Sequence, residues 1–212
     1  MENRKEFFDQ NASSWDAQRH YEGQEQHLVS VVESFGLSEG DRVLDIGTGT
    51  GVLLPLIRGA IGSQGALMAM DFSFRMLAEA KRRPLSHGDT LINASVEAIP
   101  FRSGEFDEIT CFSAFPHFPN KATSLMEMVR VLKPGGGLSI AHLKSVEEMN
   151  EFHRHVGGAV SRDHLPPPDR LLRLMEDCGL GDVTIVNEPG KFLAKGLGTE
   201  LLVDLSFVFD QP

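Results

Sequence analysis

Apolar residues recur along this chain with two different spacings, and the points where one gives way to the other outline its elements. Residues 4 to 35 carry Phe7, Phe8 and Trp15, then Leu28, Val31, Val32 and Phe35, at intervals that place them on one side of helices, and Gly36 closes the second stretch. From residue 42 short apolar runs alternate with segments of helical period. The pattern predicts strands over 42–46, 65–70, 90–93, 107–112 and 137–143, with helices over 51–60, 73–83 and 121–132. Such alternation implies a mostly parallel sheet covered by helices on both faces, with the SQG and PGGG segments as reversals. Beyond His142 the pattern loosens. Residues 146–155 look helical, 156–168 hold two glycines and three prolines and read as loop, and a helix over 168–178 is followed by strands at 182–187 and 191–195. The tail LLVDLSFVFD (201–210) doubles its apolar positions, so its period separates neither helix nor strand. A tail that apolar should pack on its own domain or on a second copy as a homodimer.

The densest information lies where the first strand meets its helix. VLDIGTGTGVLLPLI (43–57) runs from an apolar strand through glycines 47, 49 and 51 into a helix, and those glycines let a ligand approach the main chain. A dinucleotide turn of the form G-x-G-x-x-G steers a pyrophosphate onto the helix N-terminus, which a carboxylate just before the first glycine would repel. Here the spacing is D-x-G-x-G-x-G, with Asp45 leading. That charge favours a cationic ligand without phosphate, such as S-adenosylmethionine, and disfavours a nicotinamide-dependent oxidoreductase.

VLDIGTGTG resembles the first motif of the class I S-adenosylmethionine-dependent methyltransferases. AMDFSFRMLAEAKRR (69–83) resembles their second strand and acidic turn, VEAIPFRSGEFDEI (96–109) the approach to the fourth strand, and RVLKPGGGLSIAH (130–142) the helix, turn and fifth strand that follow. The resemblance implies an α/β, Rossmann-like, doubly wound and mostly parallel seven-stranded sheet with an antiparallel last strand and an N-terminal helical lid. It implies one methyltransferase domain over 1–212, divided into a lid (1–36), a cofactor-binding core (41–143), a substrate-side insert (144–168) and a C-terminal region (169–212).

By the same resemblance Asp45, Gly47, Thr48, Gly49 and Gly51 hold the methionine end of the cofactor, with Asp45 facing the ammonium. Asp71 ends the second strand, where a carboxylate accepts hydrogen bonds from both ribose hydroxyls. Phe72 and Met76 are placed to sandwich the adenine, and Phe112 to border the ligand from the fourth strand. Related sequences commonly carry an aspartate two residues before the glutamate of E-x-[IL]-P-F. Here that position is Ser95, whose hydroxyl is a weaker acceptor, with the Val96 backbone beside it.

Composition narrows the partners. The chain has 212 residues, 41% of them hydrophobic, enough for one substantial core, and a formal net charge of -10. That charge argues against tracking a phosphate backbone, so no nucleic-acid partner is expected. The polar start MENRKEFFDQNASSWD shows neither a secretory signal nor a membrane span, and a cytoplasmic enzyme is expected. Cys111 and Cys178 are the only cysteines, each in an apolar setting that reads as a buried thiol.

Methyl transfer is an in-line displacement, so the protein needs to align the reactants and, for a protonated acceptor, supply a base. In open α/β sheets ligands lie beyond the carboxyl ends of the strands. His117 follows the fourth strand and His142 ends the fifth, so both are expected in that crevice as candidate general bases. A second reading gives His117, His142 and His153 to a metal such as zinc, nickel or iron. His155 and His164 read as solvated, and Trp15, Tyr21 and His27 as residues of a lid. The expected activity is methyl transfer from S-adenosylmethionine to a small-molecule acceptor, releasing S-adenosylhomocysteine. The alternative is a protein that binds S-adenosylmethionine as a sensor without turnover.

Overall fold

The computed structural model describes residues 2–19 and 23–199. The apolar tail and Tyr21 lie outside the described residues, and with them the expected tail-mediated dimer. Strands β1 (Arg42–Ile46), β2 (Ala66–Asp71), β3 (Thr90–Asn93), β4 (Phe106–Phe112), β5 (Leu132–His142), β6 (Leu180–Glu188) and β7 (Lys191–Gly198) form one seven-stranded sheet in the order β3-β2-β1-β4-β5-β7-β6. β7 runs antiparallel to β5 and β6, and the pairings among β1 to β5 are parallel, as expected for the Rossmann-like sheet. The chain winds outward from β1 to β3 and then restarts at β4 on the other side of β1. The carboxyl ends of β1 and β4 therefore diverge into a crevice, the place where such sheets bind ligands.

Burial on both faces explains why the strands read as continuous apolar runs. In β1, Leu44 and Ile46 face a core completed by Leu125 and Met128 of α6 (Lys121–Val131) and by Leu171 and Met175 of α8 (Pro168–Asp177). Val43 faces the other way. It meets Leu28, Val31, Val32 and Phe35 of α3 (Glu25–Phe35) and Leu54, Ile57 and Ile61 of α4 (Leu54–Ile61). A third, smaller cluster joins Phe8 of α1 (Glu2–Asn11) and Ala12 to Met76 of α5 (Phe74–Ala80), with Trp15 of α2 (Trp15–Arg19) packed against it. This cluster sits over the crevice rather than against the sheet.

Several boundaries depart from the sequence reading. The helix expected from residue 51 starts at Leu54, because Gly51 to Leu53 still belong to the turn. β5 begins at Leu132, ahead of the expected 137. The PGGG segment is drawn into the strand through a register shift against β4, and the small residues permit it: a Cβ on Gly136 would lie 2.6 Å from the Asp107 carbonyl. Inside the expected 156–168 loop a single 3-10 turn forms at Gly158–Val160, after α7 (Val146–Val156).

Candidate active site

One cavity of about 250 Å³ fills the crevice, its walls drawn from α1, α2, the β1 turn, the ends of β2 and β4, and α7. Gly47, Thr48, Gly49, Asp71, Phe72 and Met76 line it, as do Ser95, Val96 and Phe112. Each glycine of the turn has its own reason. Gly47 takes φ +69, and a Cβ there would come 2.3 Å from the Ala114 Cβ, so only glycine lets the turn close on the β4 loop. Gly49 takes φ +55, and a Cβ there meets nothing within 4 Å, so it looks onto open space. The Gly47 and Thr48 N–H groups donate to the Met70 carbonyl at 2.8 and 3.1 Å, which pins the turn to the end of β2.

Asp71 organises the wall beside that turn. Its carboxylate accepts from the Gly49 N–H at 2.9 Å and the Ser73 N–H at 2.8 Å. Burial pushes its pKa up to about 6 in spite of those bonds, with the charges of Asp45 and Asp9 adding to the rise. Ser73 caps α5 by accepting from the Met76 N–H at 3.1 Å, and its hydroxyl donates to Asp9 of α1 at 2.5 Å. Asp16 of α2 bonds both Thr50 of the glycine turn and Arg83 beyond α5. The N-terminal helices are thus tied to the very segments that carry Gly49 and Asp71.

Two expected cofactor residues fall outside the cavity. Asp45 shares the Val43 face of β1, is 3% exposed, and accepts a hydrogen bond from the Thr110 hydroxyl at 2.7 Å. It lies beneath the turn, and burial raises its pKa against that bond. Among the described residues the cavity lining does not include it, and the register of β1 with β4 sets it beside Thr110. Gly51 packs inward, where a Cβ would lie 2.8 Å from Leu54 and 3.0 Å from Ala80. It serves helix packing.

Across the cavity stand the acceptor-side candidates. His117 closes the 3-10 turn Phe115–His117 after β4 and lines the cavity, with its ring 5.1 Å from that of Phe8 and 4.8 Å from that of His153. His153 of α7 lines it too. Both imidazoles meet one residue that the sequence did not single out. Asp163 accepts from His117 Nδ1 on its carboxylate at 2.8 Å and from His153 Nδ1 on its carbonyl at 2.9 Å. Arg4 of α1 forks onto the same carboxylate, with Nε 2.9 and 3.1 Å from its two oxygens. Burial alone would raise the pKa of Asp163, but the bonds from His117 and Arg4 outweigh it and hold the carboxyl below the usual range.

His142 corrects the sequence reading. It ends β5 as expected, yet its ring is buried beside Phe192, lies off the cavity, and has no hydrogen-bond partner on either nitrogen among the described residues. Burial, reinforced by the neighbouring His117 and His153, pushes its pKa down to about 3. A ring so placed is neutral near pH 7 and is not among the residues that line the cavity. Nor do the three histidines assemble as ligands. His142 stays in the core, and among the described residues no three His, Cys, Asp or Glu side chains are placed to hold a metal. His27, His155 and His164 are exposed. Cys111 is fully buried, and burial pushes its thiol far above the ordinary range.

Comparison with known proteins bears on the family and the fold. A family model described as a methyltransferase domain matches residues 43–136. A ubiquinone/menaquinone biosynthesis C-methyltransferase of Xylella fastidiosa is 32% identical over 179 residues, covering 70% of this chain and 71% of the relative. Among solved structures, an S-adenosylmethionine-dependent methyltransferase of Aquifex aeolicus matches with a TM-score of 0.61 at 28% identity, over 80% of this chain and 87% of that one. A phosphoethanolamine N-methyltransferase of Haemonchus contortus, solved with S-adenosylhomocysteine, shares the fold at TM-score 0.68 and 15% identity, over 82% of this chain and 53% of that one.

Proposed function

We propose, from the premise that this chain belongs to the class I S-adenosylmethionine-dependent methyltransferases, that it methylates a small, planar and largely apolar acceptor held beside His117. Its methyl donor is S-adenosylmethionine. The chain's residues fit that donor: Gly49 presents an open backbone, Asp71 a carboxylate, and Phe72 and Met76 apolar surfaces in the same cavity. When bound, the donor supplies an electrophilic methyl on a sulfonium. The protein's part is to orient the acceptor, take its proton where it carries one, and exclude water.

The single observation that carries the acceptor reading is continuity. The cavity that Gly49 and Asp71 line on one side is lined on the other by His117, His153 and the rings of Phe8 and Phe152. A volume of about 250 Å³ suits a small molecule. The name of the Xylella relative assigns that protein to quinone biosynthesis, which supports an aromatic acceptor here. His117 is placed to take the acceptor's proton through Nε2, because Asp163 occupies Nδ1.

The test is calorimetry with S-adenosylmethionine, followed by a screen of phenols and quinols with labelled donor. Binding of the donor and methyl transfer to at least one planar acceptor are expected, with His117→Gln abolishing transfer while donor affinity stays within about twofold. Absence of binding by both S-adenosylmethionine and S-adenosylhomocysteine overturns the reading.

A further inference from the structure

Helix α1 and the segment after α7 lie 159 positions apart in sequence at Arg4 and Asp163, yet they meet on one carboxylate. That carboxylate is shielded from solvent, with 0% of its side chain exposed against 27% for Arg4. A buried charge persists only when it is paired and hydrogen-bonded. Asp163 has both kinds of support: two donors on Arg4 and one on His117.

We infer that Asp163 is a positioning residue for methyl transfer, fixing the ring of His117 in one tautomer and doing so only while α1 lies closed over the cavity. This rests on the reading of His117 as the acceptor-side base. An ionised carboxylate is acceptor-only, so His117 Nδ1 carries the proton and the basic lone pair falls on Nε2. The carboxylate is in turn oriented by the guanidinium fork, whose planar geometry fixes both oxygens at once. Without Arg4, Asp163 keeps its burial but loses the group that sets its rotation. The backbone carbonyl of the same residue holds His153, so one residue sets both imidazoles of the acceptor side. Among the described residues, the charged and titratable groups around this junction include Arg4 on α1, Lys121 on α6, His142 on β5, His153 on α7 and Asp163 itself. Phe8 lies about one turn beyond Arg4 on the same helix and packs its ring on His117, so α1 closure delivers the latch and the wall together.

The experiment is nitrogen-15 NMR of histidine-labelled full-length protein bound to S-adenosylhomocysteine, in mildly alkaline buffer where imidazole is neutral. In the parent, His117 should show the Nδ1–H tautomer. Asp163→Asn should convert that signal into a mixture or the opposite tautomer. Arg4→Met should shift it the same way by a smaller amount, and Arg4→Lys should recover part of the loss. Exchange of α1 amides should also quicken at least about tenfold in Arg4→Met. A His117 signal unchanged in Arg4→Met overturns the coupling to α1, and that variant decides even where Asp163→Asn does not fold. A signal unchanged in folded Asp163→Asn overturns the positioning role. Calorimetry with S-adenosylmethionine on the same samples separates this outcome from failure of the methyltransferase reading, because the latch variants should bind the donor within about tenfold of the parent.

Discussion

Asp71 is an acid whose environment works against its own charge, and its titration therefore reports on the ligand. With burial holding its pKa near 6, against an ordinary 3.8, the ionised form is the costly one in the folded chain. Its contribution to stability falls as pH rises from about 4 to about 6, because the folded state binds the proton that the unfolded state has released. Donor affinity should run the other way. A carboxylate can accept from both ribose hydroxyls, whereas a protonated carboxyl gives up acceptor capacity to its own proton. Calorimetry should show S-adenosylmethionine binding that strengthens from about pH 5 to about pH 6.5 and then levels, while Asp71→Asn gives a weaker and flatter profile. His142 offers a second check at the same scale. Its two unpartnered nitrogens in the core mean that His142→Leu should leave thermal stability unchanged or raise it by about 1 kcal/mol. A loss above about 2 kcal/mol in denaturant titration would show that the ring relies on a polar partner.

The glycine turn between β1 and α4 separates folding from binding at positions two residues apart. Gly47→Ala drives a Cβ into Ala114 in a left-handed conformation and should cost about 2–4 kcal/mol in urea unfolding. Gly49→Ala keeps its open surroundings and should cost only about 1 kcal/mol, while lowering donor affinity at least about tenfold by filling the approach to the main chain. This turn was legible in the sequence because glycine spacing and an apolar strand are local signals. So were the alternating strands and helices, whose two-faced burial writes itself as unbroken runs such as Ala66 to Met70. The sense of Asp45 was not legible from charge alone. Its bond to Thr110 comes from the register of β1 with β4, a pairing between strands 65 positions apart. His142 shows a related limit: being at a strand end says which edge of the sheet a residue reaches, and its burial beside Phe192 is a long-range contact. The role of Asp163 leaves no local signal because its partners sit at positions 4, 117 and 153, and a contact of such separation leaves no periodic trace.

At the scale of the molecule, the sheet supplies one side of the cavity while α1, α2 and α7 supply the other. Phe8 is the keystone of that second side, with ring contacts to Trp15 at 5.3 Å, Phe72 at 5.6 Å and His117 at 5.1 Å. Phe8→Ala should loosen α1 without dismantling the sheet, so stopped-flow measurement should show S-adenosylhomocysteine leaving at least about tenfold faster. An unchanged release rate would place the barrier to exit elsewhere. The pairing of Arg4 with Asp163 also constrains how such enzymes could diversify. A chimaera that imports a new insert without its matching first helix would bury an orphaned carboxylate or strand a guanidinium, a mismatch of about 3–5 kcal/mol. New acceptor preferences in this lineage should therefore arise by exchange of both ends together, as a matched set inherited across an untouched central sheet.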